Sequence, residues 1–315
     1  MAETTLKYYA HGKLLLTGEY LVLNGAKALA LPLKMGQSMT VAPGNKKNRI
    51  SWEAFTPNRN WFSCEFQLQD FKIIQSTDQE KAKFLKKIFE SIQQLNPEFP
   101  FEKGFHIQTK LEFDPQWGLG SSSTLIVNLA KWTNIDAYQL NKLIFKGSGY
   151  DIACAKADSP VFYRKEENPM PVYFDFPFES HLFFVYSGTK KNTRHGIEHF
   201  LNTKSDISAK ISKIDAISEN ISKAKTFDDF QRLISNHEKI IAEIIDEQPV
   251  QQNYFSDFNG VVKSLGAWGG DFYLAASSMG ETAIRNYFKR KGLQTIFTWN
   301  ELILNEWKKA GGAKK

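Results

Sequence analysis

The chain has 315 residues, 42% of them hydrophobic, enough to fill one large core or two ordinary ones. Only two cysteines, Cys64 and Cys154, are present, which excludes a disulfide framework and any metal centre built on several thiolates. Forty basic residues against thirty-four acidic ones give a formal net charge of +6, a modest excess that suits an anionic ligand. The basic residues are scattered through NKKNR, KAKFLKK, GTKKNTR and the terminal WKKAGGAKK, without a stripe interleaved with aromatics, so nucleic acid is not an expected partner. No run of eighteen apolar residues occurs and MAETTLKYYAHGK lacks the layout of a secretory signal. The expectation is a cytoplasmic protein that neither enters nor binds a membrane.

In chain order, LKYYAHGKLLLTGEYLVLNGAKALALPLKMGQSMTV alternates short apolar strands with glycine turns, and SWEAFTP and NWFSCEFQLQDF continue the strand pattern. STDQEKAKFLKKIFESIQQLNP then places Phe84, Leu85, Ile88, Phe89 and Ile92 at helical spacing behind a capping Ser/Thr/Asp cluster. GFHIQTKLEFDP predicts a strand, WGLGSSST a loop, and TLIVNLAKW a helix apolar on most faces and therefore buried. GSGYDIACAKADSP reads as a loop and a short helix, and PVFYRK, PVYFDFP and HLFFVYSGT as strands. From Arg194 to Glu247 isoleucines and leucines recur every three or four residues, which predicts a helical block. FNGVVKSLGAWGGDFYLAASS reads as a helix, a glycine loop and a strand. No fixed-period repeat is present. A β-rich first half and a helical second half predict a two-lobed α+β chain, with lobes at 1–175 and 176–315.

The chemistry concentrates in the glycine-rich segments. In WGLGSSST the chain must turn out of a strand into a helix whose first N–H groups have no intrahelical acceptor. Those amides, the positive end of the helix dipole and the hydroxyls of Ser121, Ser122 and Ser123 suit phosphate oxygens. The same residues also read as a serine cap after a glycine turn. Asp151 alone reads as an N-cap, Lys13 as a solvated surface lysine, and Thr189 to Arg194 as a polar turn.

Taken together and in order, AHGKLLLTGEY, GLGSSST, SGYDIA and GAWGGDFYLA resemble the four motif segments of the GHMP small-molecule kinases. The resemblance spans most of the chain, and GKLLLTGEYLVL and YSGTKKNTR are similar to the mevalonate and phosphomevalonate kinase branch. It implies a two-lobed GHMP fold and an ATP- and Mg²⁺-dependent phosphotransferase acting on a hydroxyl or phosphate of a small acid, mevalonate or phosphomevalonate first. It implies that Gly118, Leu119, Gly120, Ser121, Ser122 and Ser123 wrap the ATP phosphates, with Ser122 also reaching Mg²⁺. Asp151 would orient or deprotonate the acceptor and Lys13 would stabilise the transferring phosphoryl group. Glu19, Tyr20, Lys190, Thr193, Gly266 and Ala267 would contact substrate. A small molecule is the expected partner, and the chain would act as a monomer or homodimer.

Three departures stand against that pattern. His11 replaces the usual proline, and Trp268 and Asp271 interrupt the third glycine loop. The interval from Ser123 to Asp151 is short, and its one acidic residue, Asp136, lies far from Asp151, so the carboxylate that helps hold Mg²⁺ in mevalonate kinases has no counterpart there. The alternatives are a catalytically weak nucleotide-binding or regulatory member of the fold and the related diphosphomevalonate decarboxylase. The SGYD segment speaks against the latter.

Overall fold

A computed structural model describes residues 5–44, 46–145, 147–189, 207–266 and 270–306. The chain folds into two compact units. The first contains Met1–Gly12, Met35–Pro115 and Leu119–Lys156, and the second Lys13–Lys34, Gln116–Gly118 and Ala157–Lys315. The backbone therefore passes from one unit to the other several times. Among the described residues there are nine α-helices and two sheets, one mixed with eight strands and one antiparallel with four, an α+β arrangement.

In the first unit the order is β5 (Lys72–Ser76), β4 (Arg59–Gln67), β3 (Arg49–Thr56), β6 (Phe105–Leu111) and the later part of β2 (Ala28–Pro43). All neighbours pair antiparallel except β3 and β6, which run parallel and so need the long connection through β4, β5 and helix α1 (Gln79–Leu95). Asp78 starts α1 by accepting the Lys81 N–H at 3.1 Å. The apolar stripe of α1 buries Leu85, Ile88, Phe89 and Ile92 against the sheet residues Ile50, Trp52 and Ile107. The Phe89 ring lies edge-on to Trp52 and Phe66 and stacked on Phe71, with centroids 6.1, 5.5 and 5.7 Å away.

Helix α2 (Ser121–Thr133) packs against both α3 (Ala137–Ile144) and α4 (Tyr150–Lys156). Its sequence lacks a polar face because it is buried nearly all round. Two of its four buried polar side chains fix it to β2: the Thr124 hydroxyl donates to Gln37 Oε1 at 3.0 Å, and Asn128 Nδ2 donates to the Gln37 carbonyl at 2.8 Å. The start of α2 is thus tied to a sheet strand.

The second unit holds the antiparallel sheet β10 (Val261–Leu265), β11 (Phe272–Ala276), β9 (Leu182–Tyr186) and β12 (Ile296–Thr298). Helices α5 (Ser208–Lys223), α6 (Phe227–Ile245), α7 (Val250–Tyr254), α8 (Glu281–Arg290) and α9 (Trp299–Leu302) belong to it. Phe183, Val185, Val262, Tyr273, Ala275, Ile284 and Phe288 form one of its cores. Here too the early part of β2 pairs with β7 (Val161–Tyr163), which pairs with β8 (Met170–Pro171).

Two expectations differ from the structure. VVKSL is strand β10, not helix: all but one of its residues are buried, so no polar face marks a period, and β-branched valines pair it with β11 from Val261↔Ala276 to Leu265↔Phe272. PVYFDFP is not a strand beyond Pro171. Its alternation instead serves an aromatic stack in which Phe174, Phe176 and Phe178 lie ring on ring, with Phe176 edge-on to both Trp299 and Phe230. Lys190 and Thr193 lie outside the described residues.

Candidate active site

The glycine loop begins on an anchored tryptophan. Trp117 packs on Phe297 and Tyr186, with centroids 5.3 and 6.4 Å away, while the Tyr186 hydroxyl donates to the Gln116 carbonyl at 3.2 Å. Gly118 and Gly120 then adopt φ of 69° and 96°, the left-handed region that disfavours any side chain. Leu119 between them is buried, a hydrophobic anchor rather than a ligand contact. Gly120 caps α2 without a side-chain bond, and its carbonyl accepts the first helical hydrogen bond from the Thr124 N–H at 3.0 Å.

The three serines have different fates. Ser123 is buried and its hydroxyl donates to the Gly120 carbonyl at 2.9 Å, so it offers a ligand only its N–H. Ser121 is half-buried, and Ser122 is exposed and able to present both hydroxyl and N–H. The N–H groups of Ser121, Ser122 and Ser123 make no hydrogen bond to another described residue. That gives one helix start with three aligned donors and the positive end of the dipole. Asp151 is half-buried at the second position of α4, the helix on which α2 packs, so the first unit holds the start of α2 and Asp151 on neighbouring elements.

In the second unit Lys13 is half-buried on β1 (Leu6–Thr17). Beyond β1 the chain makes a strained corner: Tyr20 has φ 60° and ψ −53°, and the Leu21 N–H reaches back to the Glu19 carbonyl at 2.6 Å. This γ-turn geometry costs on the order of 1–3 kcal/mol and persists only where the surroundings enforce it. Tyr20 is buried, and the enforcement comes from its neighbours. Gly18 donates its N–H to His237 Nε2 at 2.9 Å, and Glu19 Oε1 accepts from Lys263 Nζ at 2.5 Å.

The Glu19–Lys263 pair is the centre of a buried polar cluster that also contains His237, Glu238 and Ser264. Lys263 donates a second bond to the Ser264 carbonyl at 2.7 Å, and Glu238 Oε1 accepts from the Val250 and Ser264 N–H groups at 3.3 and 3.2 Å. Burial pushes the Glu19 carboxyl up, against the opposing pull of the Lys263 ammonium and the Gly266 N–H. Burial, aided by Lys263, holds the His237 imidazole well below its ordinary value, so it is neutral and Nε2 is free to accept from Gly18. The 3.3 Å approach of Nε2 to Glu19 Oε2 is therefore not an ion pair. The same burial raises the Glu238 carboxyl to about 7.

The motif resemblance places Glu19 at the substrate. In the structure its carboxylate is buried on Lys263, where it braces the strained corner and the entry to the third glycine loop at Gly266. The sequence signal for this cluster is Lys263, a lysine between two valines and Ser264–Leu265. Reading VVKSL as a helix hides it, because on a helix such a lysine points outward. Gly266, with φ 81°, and Gly270, with φ 51°, shape the ends of that loop, while Ala267 lies outside the described residues. Asp271 closes the loop and returns to Gly118: a β-carbon built on Gly118 would lie 2.0 Å from Asp271 Oδ2 and 2.3 Å from Cγ. Gly118 and Asp271 thus lie against each other. Among the described residues no group of three or more His, Cys, Asp or Glu side chains forms a metal centre. No helix among them is long and apolar enough to cross a membrane.

The fold is similar to those of solved mevalonate and phosphomevalonate kinases. The mevalonate kinase of Methanococcus jannaschii is similar at a TM-score of 0.69 and 17% identity, covering 94% of this chain and 97% of that one. The phosphomevalonate kinase of Streptococcus pneumoniae, solved with phosphomevalonate and AMPPNP, is similar at 0.68 and 17%, covering 93% and 99%. The galactokinase of Lactococcus lactis, solved with galactose, is similar at 0.64 and 13%, covering 93% and 92%. No family model matches the sequence, and no curated relative matches it.

Proposed function

We propose that the chain is an ATP-dependent small-molecule kinase that transfers the γ-phosphoryl group to a hydroxyl or phosphate of a small acid, with mevalonate and phosphomevalonate as the first acceptors to test. The observation that carries this reading is the start of α2, with three open amides and an exposed Ser122 behind two left-handed glycines, packed against the helix that bears Asp151. Phosphoryl transfer asks little covalent chemistry of a protein and much positioning of charge, which this geometry supplies. The N–H groups of Ser121 to Ser123 would hold phosphate oxygens and the Ser122 hydroxyl would face Mg²⁺. That ion, bound with the nucleotide, would supply neutralising charge on the phosphates. Asp151 would orient the acceptor, and Lys13 would stabilise the transferring group. The resemblance to a phosphomevalonate kinase that binds AMPPNP supports a nucleotide at this loop.

The test is ADP release with Mg²⁺ and ATP against mevalonate, phosphomevalonate, homoserine and galactose, alongside Asp151→Asn. Turnover with one acceptor, reduced about 10²–10⁴-fold in the variant, is the expected result. Absence of acceptor-dependent turnover across the panel, or full activity in Asp151→Asn, would overturn the assignment.

A further inference from the structure

We propose that a cavity bordered by helices α6 and α7 and strand β10 is a binding site for a small zwitterion, with Glu238 receiving its ammonium group and Lys239 its acidic group. The cavity lies wholly within the second unit, has a volume of about 250 Å³ and includes no residue of the glycine-rich segments. Small-molecule sites run from roughly 300 Å³ upward, so this one admits a compound of amino-acid size and not a nucleotide.

Ser235, Glu238 and Lys239 are spaced three and four residues apart on α6, share one face of it, and line the cavity together with Gln252 of α7 and Ser256 just beyond. The frame around them is fixed. β10 is the edge strand of its sheet, and Gln251 closes that edge, donating from Nε2 to the Gly260 carbonyl at 2.9 Å and accepting the Val262 N–H on Oε1 at 3.1 Å. Glu238 Oε1 does the same one step along, accepting the Ser264 N–H and tying it to the Val250 N–H of α7. Those bonds occupy Gln251 and one oxygen of Glu238. Glu238 Oε2 and the side chains of Ser235, Lys239, Gln252 and Ser256 make no hydrogen bond or ion pair with another described residue.

Glu238 is only 3% exposed, and a carboxylate so buried needs a donor or a cation on its second oxygen. Burial raises its carboxyl to about 7 despite the opposing pull of the Lys263 ammonium, so the ionised form is undercompensated. A ligand ammonium brings both the missing charge and the missing donors. The neighbouring Lys239 is exposed and would repel a simple amine. An acidic group on the same ligand turns that repulsion into a second contact.

Calorimetry and thermal unfolding at about pH 8, above the Glu238 value, compare the common L-amino acids, β-alanine and γ-aminobutyrate with ethylamine and propionate, which carry one charge each. At least one zwitterion should bind, raise the unfolding midpoint, and do so about tenfold or more tightly than either single-charge compound. Glu238→Gln and Lys239→Met should each weaken it by about tenfold or more, the worth of one charge-assisted hydrogen bond. Lys239 is exposed and can be changed without loss of the fold, so its variant decides the matter should Glu238→Gln unfold. Absence of binding by every zwitterion up to about 10 mM, unchanged affinity in either folded variant, or ethylamine binding as tightly as the best zwitterion would overturn the inference. None of these outcomes depends on the kinase reading.

Discussion

Replacing Lys263 with methionine tests whether the buried cluster carries the strained corner at Tyr20. The Lys263 and Glu19 side chains are 1% and 4% exposed, and their charged atoms are 2.5 Å apart. At an effective dielectric near 20 the gross attraction is about 7 kcal/mol, much of it offset by the cost of taking both charges out of water. Removing one partner leaves Glu19 buried without its cation, so Lys263→Met should cost about 3–5 kcal/mol. Glu19→Gln alone should cost a similar amount by stranding the ammonium. The double variant Glu19→Gln/Lys263→Met removes both charges and should recover most of the loss, giving a coupling energy of about 3 kcal/mol. Urea unfolding of the four proteins, with slopes compared to check that the unfolded state is unchanged, measures each value. A cost below about 1 kcal/mol for Lys263→Met, or additive losses in the double variant, would refute the view that this pair is a tightly coupled unit.

Glu238→Gln should change stability in a pH-dependent way. Burial raises the Glu238 carboxyl from 4.5 to about 7, so the fold binds this proton more readily than the unfolded chain does. Its contribution is fully present below about pH 4.5 and is lost as pH rises toward 7, a span worth about 3 kcal/mol. The variant should therefore gain about that much on wild type between about pH 4.5 and pH 8 in denaturation midpoints, whereas a pH-independent difference would contradict the assignment. His237 acts in the opposite sense: its lowered value gives stability that is present above about pH 6.5 and lost as pH falls, and it should do so equally in both proteins. Gly118→Ala meets both the left-handed backbone penalty and the Asp271 carboxylate, and should cost about 2 kcal/mol by thermal unfolding. In an Asp271→Gly background only the backbone part, about 1 kcal/mol, should remain; an equal cost in both backgrounds would mean the two loops do not touch.

The sequence is most legible where one physical requirement dominates. Helix α1 announces itself through a capping Asp78 and one apolar stripe, because a half-buried helix must show its period. The α2 start is legible because a sharp turn into a buried helix leaves few residues other than glycine and serine. The readings fail where burial erases the period. In β10 both faces are inside, and in Val172 to Phe178 the alternating aromatics satisfy each other instead of a sheet. The role of Glu19 is illegible for a related reason: its partners Lys263 and His237 lie more than two hundred residues away, and no local pattern encodes such a meeting.

Long-range meetings of this kind also fix the residues on either side of the third glycine-rich segment. Glu19 accepts from Lys263 in the middle of β10 and draws in the Gly266 N–H just beyond that strand, which fixes the chain where it leaves the sheet. Asp271 lies on Gly118 and holds its carbonyl to Ser187, which fixes the loop where it rejoins the sheet at β11. The energetic cost of this solution is buried charge, and that cost falls on Glu19 and Lys263. Loosening this end through Lys263→Met should therefore lower stability first, and by more than a surface substitution would.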